Sequence, residues 1–227
     1  MNLDTLLQQR PDVWRGGRAS AATATVSSGF DELDALLAGG WPQGALTELI
    51  MPRQGIGALR LLTPALARLS REKRWICWVA PPHIPYAPAL SSAGVDLSRV
   101  LLVHPRARQD GLWAVEQSLR SGNCGAVLAW PALEDSVILR RLQLAAEAGD
   151  AIGFLFRSRR CVRRPSPAAL RLQLESGTDG RLSVSILKRR GGRAAGTVQV
   201  DTSLQHGSLA LHSPAPTAPG YTQPHWQ

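Results

Sequence analysis

Cysteine is scarce in this chain. Only Cys77, Cys124 and Cys161 occur, an odd number with no paired spacing. That excludes a disulfide framework and a cysteine zinc site, and it suits a reducing compartment. Long apolar runs are missing as well. None approaches the roughly 18 residues a membrane-spanning helix needs, and "MNLDTLLQQRPDVW" has no signal-peptide core. A cytoplasmic protein is therefore expected. Acidic side chains are in the minority, 17 Asp+Glu against 26 Lys+Arg, for a net charge of +9. Such a surplus favours an anionic partner, whether nucleic acid or an acidic protein surface, and says nothing about fold. Three of the five histidines, His206, His212 and His225, are too widely spaced for a metal site. No metal and no cofactor are expected.

What is present is a hydrophobic fraction of 44% in 227 residues, enough for one domain with a sizeable core. Residues 2–9 read as a short helix with Leu3, Leu6 and Leu7 on one face. Pro11 ends it, and "RGGRASAATAT" reads as a linker. Residues 1–25 thus stand apart, and Leu3, Leu6, Leu7 and Trp14 either pack back on the core or dock a partner. The core is expected over 26–204. It begins with a helix over 31–37, capped by Ser28 or Asp31 and stopped by Gly39-Gly40. A buried strand follows over Thr47–Met51. Leu59, Leu62, Leu66 and Leu69 then mark a helix that Pro64 should kink or delay. Strand-like runs over 74–80, 100–104, 124–130 and 151–157 alternate with helical patterns over 111–122 and 134–149. Strands apolar on both faces, separated by helices, predict an α/β fold with a mostly parallel sheet flanked by helices. "AALRLQLES", "GRLSVSILKRR" and "TVQVDTS" predict an antiparallel C-terminal extension. Residues 205–227 are rich in Pro, Ser and Thr and read as a disordered tail, with Trp226 as a candidate anchor for a partner.

"LTELIMPRQGIGALRLL", residues 46–62, has the outline of a phosphate-binding loop: strand, glycine-bearing turn, helix. Such a loop needs a lysine on the β/γ phosphates and a hydroxyl on Mg²⁺. Pro52, Arg53, Gly55 and Gly57 shape the turn, but the lysine position is Ala58 and the hydroxyl position is Leu59. Neither side chain meets a phosphate or a metal, so a degenerate loop and no enzymatic activity are expected. His83 and Tyr86, in the proline-braced "APPHIPYAP", fall near the carboxyl edge of the sheet, where ligands or a protein interface sit.

Arg157, Arg159, Arg160, Arg163 and Arg164 crowd one stretch. A lone buried charge is too costly, so these are expected on a loop. Lys188, Arg189, Arg190 and Arg193 form a second basic turn that could share its face. Phosphates of DNA, an acidic protein and solvent are the alternatives. Aromatics are absent between the charges, so any DNA binding would be independent of sequence.

"VSSGFDELDALLAGGWPQGALTELIMP" and "GVDLSRVLLVHP" resemble the RecA ATPase core. The resemblance implies a RecA-like fold. It places RecA's catalytic glutamate on Pro82 and the metal-binding aspartate on Trp130, so hydrolysis is lost. Within that superfamily, "MPRQGIGALRLLTPALARL", "WVAPPHIPYAPAL" and "RRPSPAALRLQLE" resemble ImuA, the RecA-like accessory family of SOS-induced translesion DNA synthesis. That resemblance implies contacts with the polymerase-like adaptor ImuB, an error-prone polymerase III α-like subunit, and RecA or DNA. The chain resembles the division inhibitor SulA more distantly. That alternative implies binding to the division protein FtsZ. A residual ATP-binding switch is the third reading.

Overall fold

The computed structural model describes residues 24–131, 135–191 and 196–202. Three runs that are apolar on both faces become buried strands: β3 (Ala45–Met51), β6 (Cys124–Ala129) and β7 (Ile152–Ser158). They form the middle of an eight-stranded sheet with β4 (Trp75–Val79), β5 (Val100–Val103), β8 (Leu170–Ser176), β9 (Leu182–Arg189) and β10 (Thr197–Val200). The order is β10-β9-β8-β3-β7-β6-β4-β5. β8, β3, β7, β6, β4 and β5 run parallel, and β9 and β10 are antiparallel to their neighbours. Helices α1 (Asp31–Leu37) and α2 (Ala58–Arg71) bury their leucines against one face. Helices α4 (Arg108–Arg120) and α5 (Ser136–Gly149) cover the other. A short helix α3 (Ala87–Ser92) follows β4, and a ribbon of β1 (Thr25–Val26) with β2 (Trp41–Pro42) closes the amino-terminal side. The architecture is α/β with a mostly parallel sheet and an antiparallel end.

Several expectations need correction. The extension is not antiparallel throughout, because β8 pairs in parallel with β3 and only then does the chain turn back. α2 neither starts late nor breaks at Pro64. A mid-helix proline costs about 3 kcal/mol, but Leu61, Leu62, Ala65, Leu66 and Leu69 are all buried on the same helix. Each buried leucine contributes roughly 1.5–3 kcal/mol, so packing outweighs the proline. Leu59 is not inward with them; it is 39% exposed. Neither Ser28 nor Asp31 caps α1. Instead Asp34 reaches back, accepting from Ser27 Oγ at 2.6 Å and from the Ser28 backbone N–H at 2.7 Å. The helix expected over 2–9, the Trp14 region and the tail from 205 lie outside the described residues.

The largest correction concerns Arg157. It is not on a loop but inside β7, with its side chain 3% exposed. It is not alone there. Glu48, on the adjacent strand β3, accepts from Arg157 Nη1 at 2.7 Å and from Arg171 Nε of β8 at 2.5 Å. Both arginines also hold the connection between their strands. Arg157 Nη2 donates to Cys161 Sγ at 3.2 Å, and Arg171 Nη2 donates to the Cys161 carbonyl at 2.7 Å. The β7–β8 crossover, residues 159–169, contains no α-helix, only a 3₁₀ turn over Arg159–Cys161. The buried Arg–Glu–Arg group takes the place of the apolar seam that a crossover helix would provide.

Gln143 of α5 is a second polar clamp and is fully buried. Its Oε1 accepts from the backbone N–H of Leu46 at 3.1 Å and of Ala169 at 3.2 Å. Replacing it by leucine orphans both donors. At about 1–3 kcal/mol for a buried unsatisfied group, Gln143→Leu is expected to lower the urea midpoint clearly without changing the slope.

Candidate functional site

Parallel strands deliver their loops to one end of the sheet, the usual place for a site in an α/β fold. After β3 the chain turns through Pro52–Gly57 into α2. Gly55 (φ 82°) and Gly57 (φ 100°) adopt left-handed backbone there, which glycine reaches without strain. Gly57 precedes α2 and brings no side-chain cap. After β4 comes the stiff segment Pro81–Tyr86. After β6 comes Trp130. Together these loops enclose a cavity of about 320 Å³.

Its floor is aromatic. Trp130 lies flat on Phe156, with ring centroids 4.3 Å apart and planes 7° apart, and packs against Trp78 at 5.8 Å. Ala58, Leu59, Pro82 and Trp130 all line it. The four positions that the sequence singled out as emptied of chemistry are therefore neighbours in space. Gln54, Arg60, His83 and Tyr86 are the hydrogen-bonding side chains among the lining's polar and loop residues, and no carboxylate belongs to it. No group of His, Cys, Asp and Glu that could hold a metal occurs among the described residues. Cys77 and Cys124 offer no nucleophile either. Burial pushes Cys77 up to about 11, and burial also raises Cys124, so neither is a thiolate near neutrality. The aromatic floor of Trp78, Trp130 and Phe156 suits an apolar side chain of another molecule.

The two basic stretches meet along the β7–β8 crossover, whose Ser166 carbonyl lies against Lys188. Ser158 pairs with Met51, so Arg159 and Arg160 follow the carboxyl end of β7, and the crossover carrying Arg163 and Arg164 turns back along the sheet from Cys161, whose carbonyl accepts from Arg171; all four arginines are exposed. Arg159 Nη2 reaches Glu175 at 3.3 Å. Leu170 pairs with both Thr47 and Arg189, which puts the second turn toward the opposite end. That turn is tied into the fold. Lys188 Nζ donates to the Ser166 carbonyl at 2.6 Å, Arg189 to the Leu36 carbonyl at 2.9 Å, and Arg190 to Glu147 at 2.8 Å. Burial, with Arg190 and Arg171 nearby, lowers the Lys188 pKa. Arg193 and the proposed docking residues Leu3, Leu6, Leu7, Trp14 and Trp226 lie outside the described residues.

Burial opposes ionisation of Glu147, but the hydrogen bonds from Arg190 and Gln143 outweigh it and hold the carboxyl below its ordinary value. A carboxylate depressed in the folded state adds stability above its unfolded pKa, and this is lost as pH falls through the folded value. The half-exposed pair is worth less than about 1 kcal/mol. Wild type should therefore exceed Glu147→Gln by a small constant amount at neutral pH, with the difference vanishing in acid denaturation series.

Comparison with known proteins places this geometry. A family model described as "Cell division inhibitor SulA" matches residues 44–153. A protein of Serratia marcescens named Cell division inhibitor SulA is 32% identical over 147 residues, covering 63% of this chain and 82% of that protein. The chain belongs to the SulA family. A SulA of Serratia proteamaculans is 33% identical over 124 residues, 53% of this chain and 72% of its own length. For a SulA of Edwardsiella piscicida the figures are 40% identity over 96 residues, 42% of this chain and 56% of that protein.

These matches overturn the assignment to ImuA. With it go the role in translesion synthesis and the partners it implied: ImuB, an error-prone polymerase, RecA and DNA. The reason is visible in the sequence. "MPRQGIGALRLLTPALARL" and "WVAPPHIPYAPAL" both fall inside the 44–153 span that matches SulA. They could not separate the two families. Ala58, Leu59, Pro82 and Trp130 lie within the SulA span, whereas Phe156 and the arginine crossover lie beyond it.

What sequence reasoning missed is Glu48 with its two arginines, and Trp78 with Phe156 in the cavity floor. A signal for the first existed. A glutamate inside "LTELI" demands a buried cation, and "FLFR" and "LRLQL" each supply one.

Proposed function

We propose that this chain is a cell-division inhibitor of the SulA type, a cytoplasmic protein without enzymatic activity that acts by binding the division protein FtsZ. Family membership carries the reading. The cavity supports it, because the positions where a nucleotide site would carry its lysine, hydroxyl and carboxylates are Ala58, Leu59, Pro82 and Trp130, all in its lining. The core is read as RecA-like, with a nucleotide loop that has lost its lysine, hydroxyl and carboxylate and become a surface for protein contact. No helix among the described residues is long and apolar enough to cross a membrane, in keeping with a cytoplasmic target.

The test is FtsZ assembly followed by light scattering and sedimentation with GTP, with the purified chain added in increasing amounts. Suppressed assembly near equimolar ratio is the expected result. Assembly that proceeds unchanged in large excess of the chain would sink the reading.

A further inference from the structure

We infer that the cavity at the carboxyl end of the sheet is a binding site for a small planar aromatic acid with a single carboxylate: the rings lie on the floor of Trp78, Trp130 and Phe156, and the carboxylate pairs with Arg60. The inference goes beyond the division role, because it concerns a small molecule that the chain binds by itself.

Size comes first. An apolar cavity of about 150 Å³ holds a benzene, and ligand sites begin at about 300 Å³. This cavity, at about 320 Å³, has room for two fused rings and one short polar group. The floor calls for a flat aromatic body. Phe156 covers one face of Trp130, with planes 7° apart, yet Trp130 is only half-buried and lines the cavity. A ring that stacks on an open indole gains more than the area it buries. The mouth is apolar as well. Leu59, Ile84 and Tyr86 are 39%, 69% and 69% exposed, and all three belong to the lining. Pro81, Pro82 and Pro85 stiffen the wall that carries Ile84 and Tyr86. The cup is therefore formed before anything enters it, and little ordering is lost on binding.

The polar groups set the charge of the occupant. Arg60 is the one arginine of the lining, it is exposed, and no carboxylate opposes it there. Its side chain makes no ion pair or hydrogen bond among the described residues, and the same holds for Gln54, His83 and Tyr86. A purely apolar occupant leaves these four groups unused. A guanidinium holds a carboxylate in a two-point fork, so one arginine matches one anionic group. A chain of phosphates is a poor fit to the same lining, since Ala58 and Leu59 stand where its lysine and hydroxyl would be.

The probe is β-naphthoate, titrated into the full chain by calorimetry. β-Naphthamide keeps the rings without the charge, and the fully saturated acid keeps the charge and bulk without the aromatic faces. Saturable one-to-one binding is expected, with Kd about 0.1 mM or tighter for a ligand of this size. The amide should bind about tenfold more weakly, and the saturated acid at least about threefold more weakly. Arg60→Gln should cost the acid about tenfold and leave the amide unchanged, so that the preference for the charged form vanishes. Arg60 is exposed, so an unchanged melting temperature verifies the fold. Trp130→Leu should weaken acid and amide alike. Arg160→Gln, at an exposed arginine outside the lining, should bind as wild type. That control separates the Arg60 pairing from the general attraction of a chain with net charge +9. No saturable binding at millimolar β-naphthoate, equal affinity for the acid and either control, an Arg60→Gln variant that binds as wild type, or an equal loss in Arg160→Gln overturns the proposal. FtsZ has no part in this titration. A failed assembly test leaves the site standing, and a failed titration leaves the division role standing.

Discussion

Glu48→Ala is expected to destabilise the protein by about 3–5 kcal/mol, the usual result of removing one member of a buried ion pair. The substitution leaves two guanidiniums, Arg157 and Arg171, with side chains 3% and 8% exposed and no anion between them. Neither can turn to water without letting go of Cys161, so the β7–β8 crossover should loosen with the core. Urea unfolding measures the loss. Glu48→Gln should be nearly as costly, since it keeps the shape and removes the charge. A triple change to apolar residues, Glu48→Leu with Arg157→Met and Arg171→Met, is the informative companion. Replacing a whole buried charged group is often close to neutral, whereas breaking it is not. If the triple variant is as unstable as Glu48→Ala, the cost lies in the lost tether on Cys161 rather than in uncompensated charge.

Trp78→Ala should cost a similar amount, about 3–5 kcal/mol for a large buried aromatic. Trp78 is 1% exposed and sits between the apolar core and the cavity floor. Its loss removes the packing of Trp130 at 5.8 Å, so the Trp130–Phe156 stack loses one wall. A weakened near-ultraviolet dichroism signal should accompany the drop in stability. Trp78→Phe should be milder than size alone implies. The indole N–H of Trp78 has no hydrogen-bond partner, and removing an unsatisfied buried donor returns part of its desolvation cost. A Trp78→Phe variant as unstable as Trp78→Ala would mean that this N–H is satisfied in solution.

Much of the fold could be read from the chain because β6 is an uninterrupted apolar run, β7 is one as far as Phe156, and the helix pattern of α5 closes at Gly149. Their signals are local. Three features were not local. Pro64 pointed to a kinked or late-starting helix, and the start at Ala58 is supported by the buried leucines around the proline. α3 was missed because Pro85 and Pro88 make "PYAPALSS" look like loop, although proline is well tolerated in a first helical turn. The parallel pairing of β8 with β3 joins residues more than a hundred positions apart, and no periodicity reports that. The site divides in the same way. The emptied loop positions were legible one by one, and their meeting in one cavity was not. The arginine stretch 157–164 was read as one loop, but its first member belongs to the core because of a glutamate 109 residues earlier.

The position of β3 also bears on how the protein is made. Both of its neighbours, β7 and β8, are synthesised after every other parallel strand. Chains emerge at about 5–20 residues per second. A β3 completed at Met51 therefore waits on the order of 5–20 s for strands that start at Ile152 and Leu170. Throughout that interval a seven-residue strand, buried at every position in the finished protein, has two open edges. A nascent chain in this condition is a substrate for holding chaperones. The cell's supply of the protein should thus depend on how long that strand can be kept from pairing wrongly.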